Sequence, residues 1–599
     1  MAPFRKQFLF VMQTVVSHTY LGVVICLRRG VVLRSAWKLG REYLFSNQKW
    51  QAWGLLLSVI FFNLAVVYIT VQVNLWQANF YNIIQSHKET GFIEAIGIYI
   101  FLAICLVGIK GVQIYLRMLL HINWRQWLTD KYLSLWLKNK IYYRLQLSGE
   151  HYADNPDQRI SEDVDMFVSL TLRLFLECMQ DILTVLSFIV ILWNISEVIY
   201  FTYGKIEFCI YGYLVWAALF YAILGTYVTV KIGTPLIQLD YNQQKYEADF
   251  RFSLIRVREY AESIALYGGE REEKFNCLHH FSQLANNFKE IIQIRKRLMW
   301  LTTGYAHAAV IFAIFVASPR YFSGKITLGH MFQIIDAFNH VQSGLSFIID
   351  SFTKVAQWRA VVNRLNTFLV CMENAEKDLQ VNVLLRSEKQ KNNLNVEQVS
   401  VFKPDGQKLI KNLNFSLAEG DRLLIVGPSG CGKSTLIRTI AGLWLYADGR
   451  IAIPSQGKSL FVPQKPYMPI DTLKNAILYP GIKRSVSNQE IIEILNLCKI
   501  GYLAPRLIES GDWGKFLSLG EQQRIAFARI LLHKPEWLFL DEATSALDDE
   551  NQGLMYSLVR KNLPHSTIIS VGHRKGITEY HDKKLYLTTQ GEWNLCSIN

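Results

Sequence analysis

Gly427-Pro428-Ser429-Gly430-Cys431-Gly432-Lys433-Ser434-Thr435 follows the apolar run Arg422–Val426 and precedes a helical pattern, Leu436–Gly442. The spacing is G-x-x-x-x-G-K-[ST] in strand–loop–helix order, which predicts a phosphate-binding loop. Glycines let backbone N–H groups wrap phosphates, and the helix N-terminus adds partial positive charge. Lys433 is expected to reach the β/γ-phosphates, and the Ser434 hydroxyl to ligate Mg²⁺. A second buried strand, Trp537–Leu540, ends in Asp541-Glu542. Its carboxyl end places Asp541 to hold Mg²⁺ through water and Glu542 to polarise an attacking water.

Between these strands lies Leu517-Ser518-Leu519-Gly520-Glu521-Gln522-Gln523-Arg524. The set resembles the nucleotide-binding domain of the ATP-binding-cassette (ABC) transporter family. The family's signature is usually LSGGQ; here Leu519 replaces the first glycine and Glu521 stands where glutamine is usual. The resemblance implies an ATP and Mg²⁺ site in which Ser518 and Gly520, with Glu521 beside them, contact the γ-phosphate. It implies that Gln464 is the Q-loop residue touching Mg²⁺, that Ser545–Asp548 is the D-loop, and that His573, after the strand Thr567–Val571, is the switch histidine. Phe402 is the nearest candidate for the adenine-stacking aromatic; a core role fits it equally well.

The composition of the whole 599-residue chain is not that of a soluble protein: 51% of its residues are hydrophobic and only 19% charged. Disordered and fibrous classes are excluded. The net charge is +14, and half of it falls in residues 1–50, where eight basic residues face the single acid Glu42 just before the first long apolar run. That is the positive-inside pattern of a membrane protein and not a nucleic-acid surface. Nine scattered cysteines form no C-x-x-C pair, so neither a disulfide framework nor a zinc site is indicated. Phe8–Cys26 reads as an amphipathic helix on the inner membrane surface.

Six stretches approach the length a bilayer needs: Trp53–Leu75, Ile93–Leu116, Cys178–Trp193, Ile210–Val230, Leu298–Ala317 and Leu328–Phe352. The last is interrupted by Gln333, Asp336, Asn339, His340, Gln342 and Asp350, so one side must line protein or water. Long basic connections follow spans two and four, which puts them in the cytoplasm with both termini. The expected organisation is a helical membrane domain over 1–372, a charged linker over 373–393, and an α/β nucleotide-binding domain over 394–599.

Two polar stretches at the tips of the long helical pairs, Tyr152–Asp163 and Glu247–Glu270, are similar to the peroxisomal subfamily D transporters and the bacterial SbmA/BacA-type transporters. The resemblance makes them coupling segments, with Asn155, Arg159 and Glu262 as candidate transmitting residues. Arg173, Glu177 and Asp181 lie on one face of span three, and Lys110 lies within span two; a polar cavity lining and a self-satisfied charge ladder both fit. The resemblance implies an exporter-type fold and a homodimer of half-transporters in the bilayer, with two cassettes closing head to tail on ATP. It implies ATP-driven transport of a hydrophilic solute, peptide or cobalamin-like, across a bacterial inner membrane, and no nucleic-acid partner. The alternatives are a subfamily D-type fatty acyl-CoA transporter in an organellar membrane, and an ATP-gated channel.

Overall fold

A computed structural model of the chain describes residues 31–87, 89–147, 155–196, 199–203, 206–381, 384–388, 393–453, 459–482 and 485–598. The expected amphipathic segment Phe8–Cys26 lies outside the described residues, as do residues 152–154 of the first coupling stretch. The chain divides into two compact units: Met1–Leu137 with Glu150–Cys371, and Lys138–Gly149 with Met372–Asn599.

The first unit is helical. Its main elements are α1 (Val31–Leu44), α2 (Lys49–Gln85), α3 (Glu89–Leu137), α4 (Val164–Ile195), α5 (Tyr213–Glu259), α6 (Glu270–Phe322) and α7 (Leu328–Val381). Among the described residues five helices, α2 to α6, are long and apolar enough to cross a membrane. The sixth expected span falls within α7, an unbroken helix of 54 residues. Two of its polar residues are accommodated inside the bundle: Gln333 is buried, and the buried Asn74 amide of α2 donates to Asp336 Oδ2 at 2.7 Å and to the Gln333 backbone carbonyl at 3.3 Å. Between α4 and α5 lies a hairpin, β1 (Ile199–Tyr203) with β2 (Ile206–Ile210), and α5 begins three residues after the start expected for span four. Helices α5 and α6 approach closely at Gly225, where a Cβ would sit 2.1 Å from the Tyr305 ring. Tyr221 and Tyr305 lock the crossing by donating to each other's backbone carbonyls at 2.6 and 2.9 Å.

On the α4–α7 seam, Lys354 Nζ lies 2.9 Å from Glu177 Oε2, Arg173 Nε lies 3.9 Å from Glu177 Oε1, and the Trp358 indole donates to Thr171 at 2.9 Å. For Arg173 and Glu177 this is the self-satisfying arrangement, extended across two helices by a lysine 177 residues away.

Helix α7 continues to Val381, and β3 (Leu384–Glu388) follows it, so regular structure runs through much of the stretch expected as a linker. β3, β4 (Leu394–Phe402), β5 (Lys408–Leu417) and β7 (Ala447–Ile453) form a four-stranded sheet in the order β3-β7-β4-β5. A six-stranded sheet, β14-β13-β6-β12-β11-β8, carries the chemistry. Its strands are β6 (Arg422–Val426), β8 (Ser459–Val462), β11 (Trp537–Asp541), β12 (Thr567–Val571), β13 (Lys583–Leu587) and β14 (Trp593–Ser597); a short pair, β9 (Asp471–Thr472) and β10 (Ser510–Gly511), stands apart. Only β14 is antiparallel to its neighbour within the six. Successive residues serve opposite faces, as the pleat demands. Leu424, Leu538, Leu540 and Ile568 enter a core under the helices with Trp513 and Phe527. Leu423, Ile425, Trp537, Phe539 and Ile569 enter a second core with Ile410 and Ile451 of the other sheet. Burial on both faces explains why these strands read as continuous apolar runs.

Candidate nucleotide site

Parallel pairing puts the carboxyl ends of the central strands along one rim. Ile425 of β6 pairs with Val571 of β12, Val571 with Asp541 of β11, and Leu540 with Val462 of β8. The residues just beyond those ends are Gly427–Ser434, His573, Glu542 and Gln464, so four loops far apart in the chain meet at one edge. This is where open α/β sheets bind ligands.

The first loop turns into α8 (Lys433–Ile440) through Gly432, whose φ of 98° is left-handed. At Gly427 a Cβ would lie 2.3 Å from the Leu587 carbonyl and 2.9 Å from Cys431 Sγ. Only glycine permits that approach. Cys431 is buried in the sheet-to-sheet core, which anchors the loop from below. Lys433 is buried, and its ammonium donates to the carbonyls of Gly427 (3.0 Å) and Pro428 (2.8 Å). The Ser434 hydroxyl donates to Asp541 Oδ1 at 2.7 Å. Burial pushes the Asp541 carboxyl above its ordinary range, against the pull of the Ser434 hydroxyl.

Glu542 has a left-handed backbone, φ 48°, unusual for a non-glycine residue. Its carboxylate is held from two sides. The Gln464 amide donates to Oε2 at 2.9 Å, and His573 Nε2 lies 3.3 Å from Oε1. Ser434 with Asp541, and Gln464 with Glu542 and His573, thus form two sets of contacts joined by the peptide bond between Asp541 and Glu542. A cleft of about 340 Å³ lies against Ser434, Glu542 and His573, walled also by Ser429, Gly430, Lys433 and Thr435. Trp444, Lys403 and Leu409 close its other side, while Phe402 is not among its walls. Phe402 instead lies beneath the Lys408 ammonium, 5.6 Å from the ring centroid, and its carbonyl accepts the Trp444 indole N–H at 2.9 Å.

Ser518, Gly520 and Glu521 are not among the walls of this cleft either. Ser518 caps α9 (Leu519–His533) in a reciprocal capping box with Glu521. The Ser518 N–H and hydroxyl both donate to Glu521 Oε2, at 2.8 and 2.7 Å, and the Tyr502 hydroxyl donates to Oε1. Burial alone would raise the Glu521 carboxyl; the donors Tyr502 and Ser518 outweigh it and hold the group below the usual carboxylate range. The unusual signature residue is therefore a charged helix cap.

Gln523 escaped the sequence reading. It is fully buried, donates to the Gln464 carbonyl (3.0 Å) and the Ser545 hydroxyl (3.1 Å), and accepts the Ala546 N–H (3.0 Å). One glutamine ties the signature helix to the two loops flanking Glu542. The signal was present in the repeated glutamines of Glu521-Gln522-Gln523, which an apolar helix interior would not tolerate unpaired.

In the first unit, Asn155 adopts a left-handed conformation (φ 48°) just before Pro156 at a helix start. Arg159 Nη1 contacts Asp163 Oδ2 at 2.6 Å; Asp163 is buried and also held by Arg364 of α7 through Nε (2.8 Å) and Nη2 (2.6 Å). A local ion pair of Arg159 with Asp163 is within reach of the sequence, but Arg364 was not singled out, because its pairing with Asp163 spans 201 residues. Glu262 lies on an exposed short helix, Ala261–Tyr267, beside Leu266 and Tyr267, which are 81% and 90% exposed.

Two family models match the chain: "ABC transporter transmembrane region 2" over residues 41–322 and "ABC transporter" over residues 410–545. The Escherichia coli "Inner membrane ABC transporter ATP-binding protein YddA" is 33% identical, covering 88% of this chain and 92% of its own length. The Homo sapiens "Lysosomal cobalamin transporter ABCD4" is 28% identical, covering 90% and 92%. A solved bacterial Atm1-family ABC exporter with ATP bound superposes with a TM-score of 0.66 at 18% identity, covering 92% of this chain and 96% of that one. A membrane domain and one cassette on an exporter-type fold define an ABC half-transporter. The chain belongs to the ABC transporter family. It is a membrane-embedded, ATP-binding ATPase that couples hydrolysis to transport.

Proposed function

We propose that the chain works as a homodimer in a bacterial inner membrane, moving a hydrophilic solute by alternating access driven by ATP. The observation that carries the nucleotide half is the meeting of Lys433, Ser434, Glu542 and His573 on one cleft, with Asp541 hydrogen-bonded to Ser434 and Gln464 to Glu542. The signature residues Ser518 and Gly520 lie off that cleft, which supports their being supplied by a second copy. Lys433 and the loop N–H groups bind the phosphates. The Ser434 hydroxyl, the Asp541 carboxylate and the Gln464 side-chain amide oxygen are hard oxygen donors of the kind Mg²⁺ takes, so these residues fit the ion and would hold it. When bound, Mg²⁺ neutralises phosphate charge. Glu542 accepts the proton of the attacking water, and His573 and Gln464 keep its carboxylate oriented. Closing on ATP and reopening after hydrolysis shifts the membrane helices between two states because ATP binds the closed one better.

The hydrophilic-solute reading draws on the cobalamin transporter among its relatives and on the polar face of α7. ATP-dependent flux in liposomes separates it from the channel alternative. Accumulation against a gradient that stops with ATP is expected; downhill flux alone would overturn the pump.

Glu521 tests the cassette interface. If Ser518 faces a γ-phosphate, Glu521→Gln removes a repelling charge while keeping an acceptor for Ser518. The ATP concentration for half-maximal ATPase should fall about fivefold, on the scale of about 1 kcal/mol for two charges about 4 Å apart in water. An unchanged or higher value would place Glu521 away from the nucleotide.

Asn155, Arg159 and Glu262 transmit motion and do no chemistry. Glu262→Ala should leave ATPase intact and abolish flux in the same reconstituted sample. Arg159→Ala should also lower thermal stability, because it strips one of two cations from buried Asp163. Parallel loss of ATPase and flux in Glu262→Ala would remove it from coupling.

A further inference from the structure

Near the short turn joining α2 to α3, the two helices leave between them a cleft of about 620 Å³. It is a pocket of ligand size. Its α2 wall includes Gln72, Trp76, Asn79 and Asn82, which recur every three to four residues and so share one helix face; Glu94 and Ala95 belong to the α3 wall. Leu75, Ile83, Ile98 and Leu102 complete much of the lining, so the polar groups are points in a largely apolar cleft. Amides and a carboxylate turned to hydrocarbon carry a desolvation cost of several kcal/mol.

The cleft is also stiff. The Trp76 indole donates to the Ala95 carbonyl at 2.7 Å across the helix pair. Its ring is stacked between Phe80 (4.8 Å) and Tyr99 (4.5 Å). Asn82 is fixed by accepting the Gly329 N–H of α7 at 3.0 Å. Three polar groups remain uncommitted: Gln72, Asn79 and Glu94 make no hydrogen bond or ion pair among the described residues. They supply two amide carbonyls and one negative charge around a preformed volume. No lysine or arginine lines it.

We propose that this cleft is a solute-receiving site for a hydrophilic group bearing positive charge, an ammonium or guanidinium, with Glu94 as its counter-charge and Gln72 and Asn79 as hydrogen-bond acceptors. The proposal rests on the chain being a solute transporter and narrows the solute class. A multiply anionic solute such as an acyl-CoA is repelled by Glu94 and finds no cation in the walls.

The test uses the full chain in liposomes and needs no known substrate. Asn79→Cys, and independently Gln72→Cys, are reacted with a trimethylammonium-ethyl and a sulfonato-ethyl methanethiosulfonate, and the reaction of the unsubstituted chain is subtracted. Relative to free 2-mercaptoethanol, the cation-to-anion rate ratio should rise about tenfold, the lower end of electrostatic focusing in a charged cleft. Adding Glu94→Gln should return it to the free-thiol value. Millimolar L-argininamide should slow the cationic reagent, and only with Glu94 present. Cysteines inert to both reagents would show the cleft filled by lipid or a second copy. That result, a charge-indifferent ratio, or absent protection would each overturn the site. ATPase and flux in the same liposomes are read separately, so the site can fail while the transport reading stands.

Discussion

Protein carrying Glu542→Gln will bind ATP with near-normal affinity and hydrolyse it about 10²–10⁴-fold more slowly, the range lost with a positioned general base. The substitution is nearly isosteric. A glutamine carbonyl at this position still accepts the Gln464 amide, which now donates to Oε2 at 2.9 Å. The contact to His573 at 3.3 Å also has a partner in the new side chain. What disappears is the capacity to take a proton. The left-handed backbone at Glu542 is set by the strand end, where its N–H donates to the Val571 carbonyl, and not by the carboxylate. The variant should therefore fold as the parent does and retain ATP, trapped in the closed state. Single-turnover hydrolysis with labelled ATP, together with nucleotide retained after gel filtration, measures both halves of the claim. Turnover near the parent rate would take Glu542 out of the reaction.

What could be read in the sequence was local. The loop Gly427–Thr435 is one contiguous signal, and the strand predicted over Thr567–Val571 is the strand observed. The helix after the loop starts three residues earlier than its apolar pattern, at Lys433, because the N-terminal turn of a phosphate loop is polar. Contacts between distant segments left no such trace. Asp163 with Arg364, Glu177 with Lys354 and Asn74 with Asp336 each join helices more than 170 residues apart. Each partner alone looks like an ordinary charge or amide in or near an apolar run. The same blindness bears on the weak sixth span: Asp336 of α7 is matched by Asn74 of α2, and periodicity within one helix cannot reveal a match on another. Trp444 and Lys403 were missed as cleft walls for a related reason. They lie on loops beyond the strand and helix that carry the motif, where no spacing rule applies.

Lys433→Ala will lower ATP affinity by about 10²-fold and abolish transport. A charge-assisted hydrogen bond contributes about 1.5–3 kcal/mol, and the upper value alone is more than a hundredfold. The lysine has a second task that bears on the control. Its ammonium sits 3.0 and 2.8 Å from the carbonyls of Gly427 and Pro428 and so braces the loop from inside. The loop keeps other supports: buried Cys431 in the core, and the close packing of Gly427 on the Leu587 carbonyl. Those two loop carbonyls can turn to water in the cleft once the ammonium is gone, so the loss of stability should be small, about 1 kcal/mol. The two effects separate in one experiment. Equilibrium dialysis against ATP reads the affinity, and thermal unfolding without nucleotide reads the fold. Lys433→Ala that melts like the parent and fails to bind ATP supports the phosphate-loop role. Unchanged affinity in a stable protein would mean that the glycine-rich turn does not hold the nucleotide at all.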